Sequence, residues 1–329
     1  MPAPRAYTRQ AVARSASIGE ARRRLPRDFV ESLQETFPQP IAESILRGMS
    51  ARRPTSMRVN TLRMSSAALL RFYRENAVKH RRVPWYEDAF VLPELRERDV
   101  ERWTLYGEGR IYLQSLSSMI PALALSPRPG ERVLDLTAAP GSKTTQMAAL
   151  MGNQGSIVAN EIDPVRAERL AFNIRVQGCE IVEIRVGRGE RLGEELPESF
   201  DRVLLDAPCS GEGRFAVHAP QTFRSWSPRT VAQCARLQKK LFASAVRALK
   251  VGGILVYPTC TLNREENEGV VRWALEALPI AVEKCPIAVP GAYAGLTRGL
   301  DERVGNALRI FPDAEREGFF VCRIRKKEE

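Results

Sequence analysis

RVLDLTAAPGSKTTQMAAL, residues 132–150, joins a short apolar run to a turn of small residues and then to a helical stretch. RVLDL (132–136) lacks the alternation of a half-exposed strand and reads as one buried on both faces. Pro140-Gly141 predicts the turn, and the small residues around it, Ala138, Ala139 and Ser142, let a ligand approach the backbone. The helix expected from Lys143 onward offers first-turn N–H groups that no carbonyl within the helix accepts, which suits a carboxylate or phosphate.

Working outward, the same alternation repeats. SIVAN (156–160), EIVEIRV (180–186), RVLLD (202–206) and GILVY (253–257) read as further buried strands. Helices are predicted over 143–151, 165–177, 230–249 and 265–278. Strand and helix in alternation imply right-handed crossovers and a doubly wound, mainly parallel α/β sheet. The tail segments ALRIFP and GFFVCRIRK are expected to add one or two strands that close an edge. Upstream, 29–50 predicts helical segments broken by prolines, RVNTL (58–62) a strand, 65–76 an amphipathic helix, 89–92 a strand and 111–125 a helix. The expected organisation is a basic arm (1–28), a small basic α/β module (29–125) and a larger α/β domain (126–329).

Composition narrows the function. The 329 residues are 44% hydrophobic, enough for a packed core, and no apolar run approaches the ~20 residues that span a bilayer. The N-terminus has no apolar core of the secretory kind; its Arg-rich, acid-poor start has the composition of a transit peptide, but a basic arm of a cytoplasmic protein is the expectation. Residues 1–82 hold 17 Lys and Arg against 6 Asp and Glu, so the whole net charge of +11 lies there. Arg suits bidentate phosphate contacts, which makes Arg52, Arg53, Arg58, Arg63, Arg81 and Arg82 candidates for binding nucleic-acid phosphates. Six scattered cysteines, without a CxxC pair or a Cys/His cluster of zinc spacing, predict free thiols and no metal site.

In a doubly wound sheet, ligands sit beyond the carboxyl ends of the strands. The loop after the first strand fails both the G-x-x-x-x-G-K-[ST] and the G-x-G-x-x-G patterns, which counts against nucleotide hydrolysis and a dinucleotide site. Glu161, about twenty residues on, ends the second strand, where a carboxylate accepts from ribose hydroxyls. Its neighbour Asp163, before Pro164, reads instead as a helix cap. The fourth strand runs into DAPCSGEG, with Asp206 and Cys209, and the fifth into PTCTL, with Cys260. Most free cysteines are inert core residues, and Cys179, Cys234, Cys285 and Cys322 are read so. Two thiols emerging at the same sheet edge beside an aspartate are read as chemistry.

DLTAAPGSKTTQ (135–146), LLDAPCSGEG (204–213) and VYPTCTLNREENE (256–268) resemble the RsmB/RsmF/NSUN family of RNA cytosine-5 methyltransferases. The resemblance extends to RVNTL, GRIYLQSLSSMIPA (109–122), RLQKKLFASAVRALKVGG (236–253) and the tail, from about residue 55 onward in the same order. It implies a Rossmann-like fold and S-adenosylmethionine as cofactor, held by Ala138, Ala139, Pro140, Gly141, Ser142, Lys143, Glu161 and Asp206. It also implies Cys260 as the nucleophile at C6 of cytosine, Cys209 as the residue assisting proton removal and release, Asp206 at the cytosine edge and Lys143 in support. A rival assignment makes Cys209 the attacking thiol.

The sequence departs from the family pattern at Thr137 and Ser142, both small, and at Asp313, where a His is common. It also carries Gly187-Arg188-Gly189-Glu190 where the family places an adenine-contacting Asp. Arg188 cannot accept a hydrogen bond, so Glu190, a backbone group or a weaker cofactor site is expected there. The resemblance leaves ribosomal and transfer RNA open and tips toward ribosomal RNA, with a partner protein or an assembling ribosomal subunit as the alternative source of specificity. The expected state is a monomer. A catalytically silent RNA-binding protein that keeps the fold is the contrasting reading.

Overall fold

The apolar runs at 132–136, 156–160, 202–206 and 253–257 place Val133, Leu134, Ile157, Val158, Val203, Leu204, Leu255 and Val256 in the interior. The computed structural model describes residues 16–297 and 301–328. Three N-terminal helices, α1 (Ile18–Arg24), α2 (Arg27–Thr36) and α3 (Gln39–Ser50), precede a module of β1 (Thr55–Val59), α4 (Ser66–Glu75), β2 (Arg81–Val83), β3 (Tyr86–Leu92), α5 (Glu97–Val100), α6 (Thr104–Gly107) and β4 (Ile111–Leu113). Helix α7 (Leu116–Leu125) leads into the larger unit. There follow β5 (Arg132–Asp135), α8 (Ser142–Leu150), β6 (Ser156–Glu161), α9 (Pro164–Gln177), β7 (Val182–Val186), α10 (Gly189–Glu195) and β8 (Phe200–Leu204). The chain continues through α11 (Pro228–Ala248), β9 (Leu249–Thr259), α12 (Glu268–Ala277), β10 (Ile280–Glu283), β11 (Tyr293–Ala294), β12 (Leu308–Ile310) and β13 (Phe319–Lys326).

Among the described residues the large sheet has nine strands, in the order β11-β12-β13-β9-β8-β5-β6-β7, with β10 also on β13. The pairs β7–β6, β6–β5, β5–β8 and β8–β9 are parallel, so the expected mainly parallel, doubly wound α/β sheet is present. One core face takes α10, α11 and α12 through Leu192, Leu241, Phe242 and Val271; the other takes α7, α8 and α9 through Ile120, Met147 and Leu170. Each such buried side chain contributes about 1.5–3 kcal/mol before conformational entropy is charged against it. From β5 the chain crosses to β6 on one side and later returns to β8 on the other. That reversal opens a crevice above the ends of β5 and β8.

Several boundaries differ from the sequence reading. The strand expected at 58–62 is β1, because Asn60 ends it: its Oδ1 accepts from Leu62 N at 3.2 Å in a side-chain turn. The helix expected over 111–125 is split. Ile111–Leu113 pairs with β1, and the helix begins only after the extended Ser115. Strand β13 does not close an edge; it lies antiparallel between β9 and the strands β12 and β10. The expected arm overlaps α1, where Ala21 is buried, while residues 1–15 lie outside the described residues. Helices α1–α3 share a core with Phe215, Val217, Leu262 and Phe311, so they pack on the larger unit. No helix among the described residues is long and apolar enough to cross a membrane.

Candidate active site

The loop after β5 turns into α8 through Gly141, whose φ of +101° and whose close approach to Leu170 suit glycine. No side chain caps α8, so its first N–H groups are left toward a ligand. Above these strand ends lies a cleft of about 840 Å³. Its walls include Ala138, Ala139, Pro140, Ser142, Lys143, Glu161, Glu190, Asp206, Cys209 and Cys260. Of the residues expected to hold the cofactor, Gly141 is the one that shapes the turn without lining the cleft.

Glu161 is 2% exposed, and its Oε1 accepts from the N–H groups of Ile162 (2.9 Å) and Asp163 (3.1 Å). Its Oε2 is buried with no partner, an open acceptor on the cleft wall. Asp163 caps α9, accepting from Val165 N and Arg166 N. Arg188 is exposed and paired with Glu190 at 3.0 Å, and Glu190 rather than Arg188 stands on the wall. The sequence reading did not assign Asp135 a role. It is buried in the cleft floor, its Oδ1 lacks a partner, and burial raises its carboxyl to about 7. An open carboxylate beside an open N-terminal helix turn, in a cleft of this size, fits a nucleoside carrying a polar tail.

The other half of the cleft holds the thiols. Cys209 Sγ and Cys260 Sγ are 3.0 Å apart. The hydrogen bond to Cys260 and then burial push the Cys209 thiol well above its ordinary value. Their two loops are tied together. Ser210 N donates to Glu266 Oε2 at 2.9 Å, as does Gln238 Nε2 from α11, and the Ser210 and Thr261 hydroxyls bond at 2.8 Å. Lys143 is buried, and its Nζ lies 2.7 Å from Asp206 Oδ2 and 2.9 Å from Ser118 Oγ. Cys179, Cys234, Cys285 and Cys322 do not line the cleft.

The arginines expected to grip RNA divide. Arg52, Arg63 and Arg82 are exposed; Arg81 is exposed and paired with Glu315. Arg53 is half-buried and donates to Arg316 O (2.8 Å) and Gly48 O (3.3 Å). Arg58 does not belong to the patch. It is 0% exposed and donates to Gln114 Oε1 (2.8 Å), Thr145 Oγ1 (2.7 Å) and Ser142 O (3.2 Å), which fastens the small module to the first turn of α8.

The chain matches the family model described as 16S rRNA methyltransferase RsmB/F over residues 122–325, and that of the N-terminal domain of 16S rRNA methyltransferase RsmF over residues 25–116. It is 40% identical over 313 residues to ribosomal RNA small subunit methyltransferase F of Shigella dysenteriae, covering 92% of this chain and 64% of that protein. The protein of the same name in Cronobacter sakazakii is 41% identical over 314 residues, covering 92% of this chain and 63% of its own length. The chain thus spans a little under two thirds of these relatives. A methyltransferase homologue from Pyrococcus horikoshii superposes with a TM-score of 0.83 at 34% identity, covering 94% of this chain and 98% of that one. By fold, cleft and family model, the chain belongs to the RsmB/F family of 16S rRNA methyltransferases.

Proposed function

We propose that this protein methylates C5 of a cytosine in ribosomal RNA, with Cys260 as the covalent nucleophile. The observation that carries the reading is the Cys209–Cys260 pair, 3.0 Å apart beyond the carboxyl ends of β8 and β9. The family's cofactor is S-adenosylmethionine. Glu161 Oε2, the first turn of α8 and the residues Ala138–Lys143 would hold it, with Glu190 on the far wall. When bound, it supplies an electrophilic methyl group.

The chain's own residues do the rest. C5 of cytosine is a weak nucleophile until a thiolate adds to C6. Cys260 Sγ forms the S–C6 bond, the C5=C6 pair becomes available at C5 for the methyl group, and the Asp206 carboxylate accepts a hydrogen bond from the cytosine amino edge. Lys143, against Asp206, fixes that carboxylate and balances its charge. Bond formation removes from Cys260 the lone pair and charge that raise the neighbouring thiol. Cys209 then loses its proton to solvent and takes up the C5 proton as a thiolate. The C5–H pair re-forms C5=C6, the S–C6 bond breaks and Cys260 leaves as thiolate. One proton is released per turnover. A base must leave any stack to reach this depth.

Labelled S-adenosylmethionine and three RNA pools from cells lacking the gene test the reading: total transfer RNA, naked small-subunit ribosomal RNA and assembled small subunits. Labelled 5-methylcytosine in either ribosomal pool is the expected result. Label on another base, label confined to transfer RNA, or cofactor binding without label in any pool would overturn it. The last outcome describes the silent RNA-binding protein.

A further inference from the structure

The short 3-10 turn Glu212–Arg214 follows the Cys209 loop and is docked on the backbone of the other cysteine. Gly213 N donates to Cys260 O at 2.9 Å, and Gly318 N donates to Gly213 O at 2.8 Å. A Cβ on Gly213 would fall 2.1 Å from Gly318 O, so a glycine is required for the turn to sit this close. The next residue, Arg214, is thereby placed on the cleft wall with Cys209 and Cys260. Its positive charge is coupled most strongly to Cys260 and then to Glu317. We infer that Arg214 is a catalytic residue whose charge holds Cys260 Sγ as a thiolate in readiness for attack. The role rests on the methyl-transfer reading above.

The charges around Cys260 leave that task to Arg214. Lys143 is engaged by Asp206 at 2.7 Å. Cys209 is a thiol beside it, Glu266 lies behind the Cys209 loop, Cys234 approaches from α11, and Glu317 stands on the wall ahead of β13. These groups are neutral or acidic. Burial works against the Arg214 charge, but Cys260, Glu317 and Cys209 together hold its pKa above the ordinary value. The proton lost from Cys260 passes to solvent, to which the cleft is open. Arg214 is itself exposed, so its effect is screened by salt.

Iodoacetamide, a small neutral alkylating agent, reads the thiolate directly. The full chain, Arg214→Met and Arg214→Lys are alkylated across a pH series, with Cys260 followed by peptide mass spectrometry. At neutral pH Arg214→Met is expected to slow Cys260 alkylation by about threefold or more, with its profile displaced to higher pH, and Arg214→Lys to restore most of the rate. Equal rates and profiles for the full chain and Arg214→Met would overturn the inference, as would Arg214→Lys behaving like Arg214→Met. Alkylation of the buried Cys322 would expose an unfolded variant. In that event the unaltered chain decides: added salt is expected to slow Cys260 more than Cys234, and equal slowing would overturn the inference. Alkylation needs no methyl transfer, so this inference and the methylation reading fail separately.

Discussion

Lys143 Nζ lies 2.7 Å from Asp206 Oδ2, joining the first turn of α8 to the loop after β8 across the floor of the cleft. The lysine is 8% exposed and the aspartate 30%, so this pair is shielded on one side and reachable from the cleft on the other. Lys143→Met leaves the carboxylate without its cation and Ser118 without its donor. It is expected to lower kcat by about tenfold to a hundredfold, with a much smaller effect on cofactor Kd. Single-turnover methyl transfer and a cofactor titration check this; equal losses in both would show that Lys143 serves cofactor binding alone.

The two carboxylate oxygens of Glu161 have different surroundings. One oxygen holds Ile162 N and Asp163 N, and the other is buried without a partner. Glu161→Gln keeps the shape but leaves one acceptor where there were two. Cofactor Kd is expected to rise by about tenfold with kcat at saturation nearly unchanged. Calorimetric titration of the variant measures it.

Arg58 illustrates why charge in a sequence is not charge on a surface. Arg58→Ala is expected to destabilise the fold by about 2–4 kcal/mol, because it leaves Gln114 and Thr145 without their buried donor. Arg52→Ala, Arg63→Ala and Arg82→Ala are expected to leave the melting temperature alone and to weaken RNA binding, each reducing the slope of log affinity against log salt by about one. Denaturant melts and filter binding at several salt concentrations separate the two behaviours.

Glu212 gives the fold a pH dependence of unusual sign. Burial, aided by Glu266 and opposed by bonds from Asn263 and Trp226, raises its carboxyl from 4.5 to about 7. Between those values the folded chain holds a proton that the unfolded chain has lost. Stability therefore falls as pH rises through this window, and the penalty is complete above it. Asp135, raised to about 7 chiefly by burial, adds a slope of the same sign. Glu212→Gln is expected to flatten the decline of melting temperature between about pH 5 and pH 8; an unchanged decline would show that Glu212 is ionised in the fold.

Four of the five parallel strands were legible as unbroken apolar runs buried on both faces, and the cleft was legible because such sheets bind ligands at their carboxyl ends; β7, expected to be buried, is instead half-exposed because it ends the sheet and has a neighbour on one side alone. Asp206, Cys209 and Cys260 could be read from their place at those ends, and Glu161 likewise. What stayed hidden depends on tertiary pairing. Ile111–Leu113 is too short to announce a strand and becomes one by pairing with β1. The burial of Arg58 follows from the docking of the small module on α8, which no local pattern encodes. Arg214 shares the cleft wall with the thiols because Gly213 meets the backbone of Cys260, about fifty residues further on, a contact made by the crossover and not by spacing.

The division of roles between the two thiols is tested most directly by trapping. RNA is incubated with cofactor and with the unaltered chain, Cys260→Ser or Cys209→Ser, and then resolved on a denaturing gel. Serine at 209 cannot ionise to take the C5 proton, so Cys209→Ser is predicted to accumulate a covalent protein–RNA band. Cys260→Ser is predicted to give none. A band from Cys260→Ser and its absence from Cys209→Ser would contradict the assignment and make Cys209 the attacking sulfur.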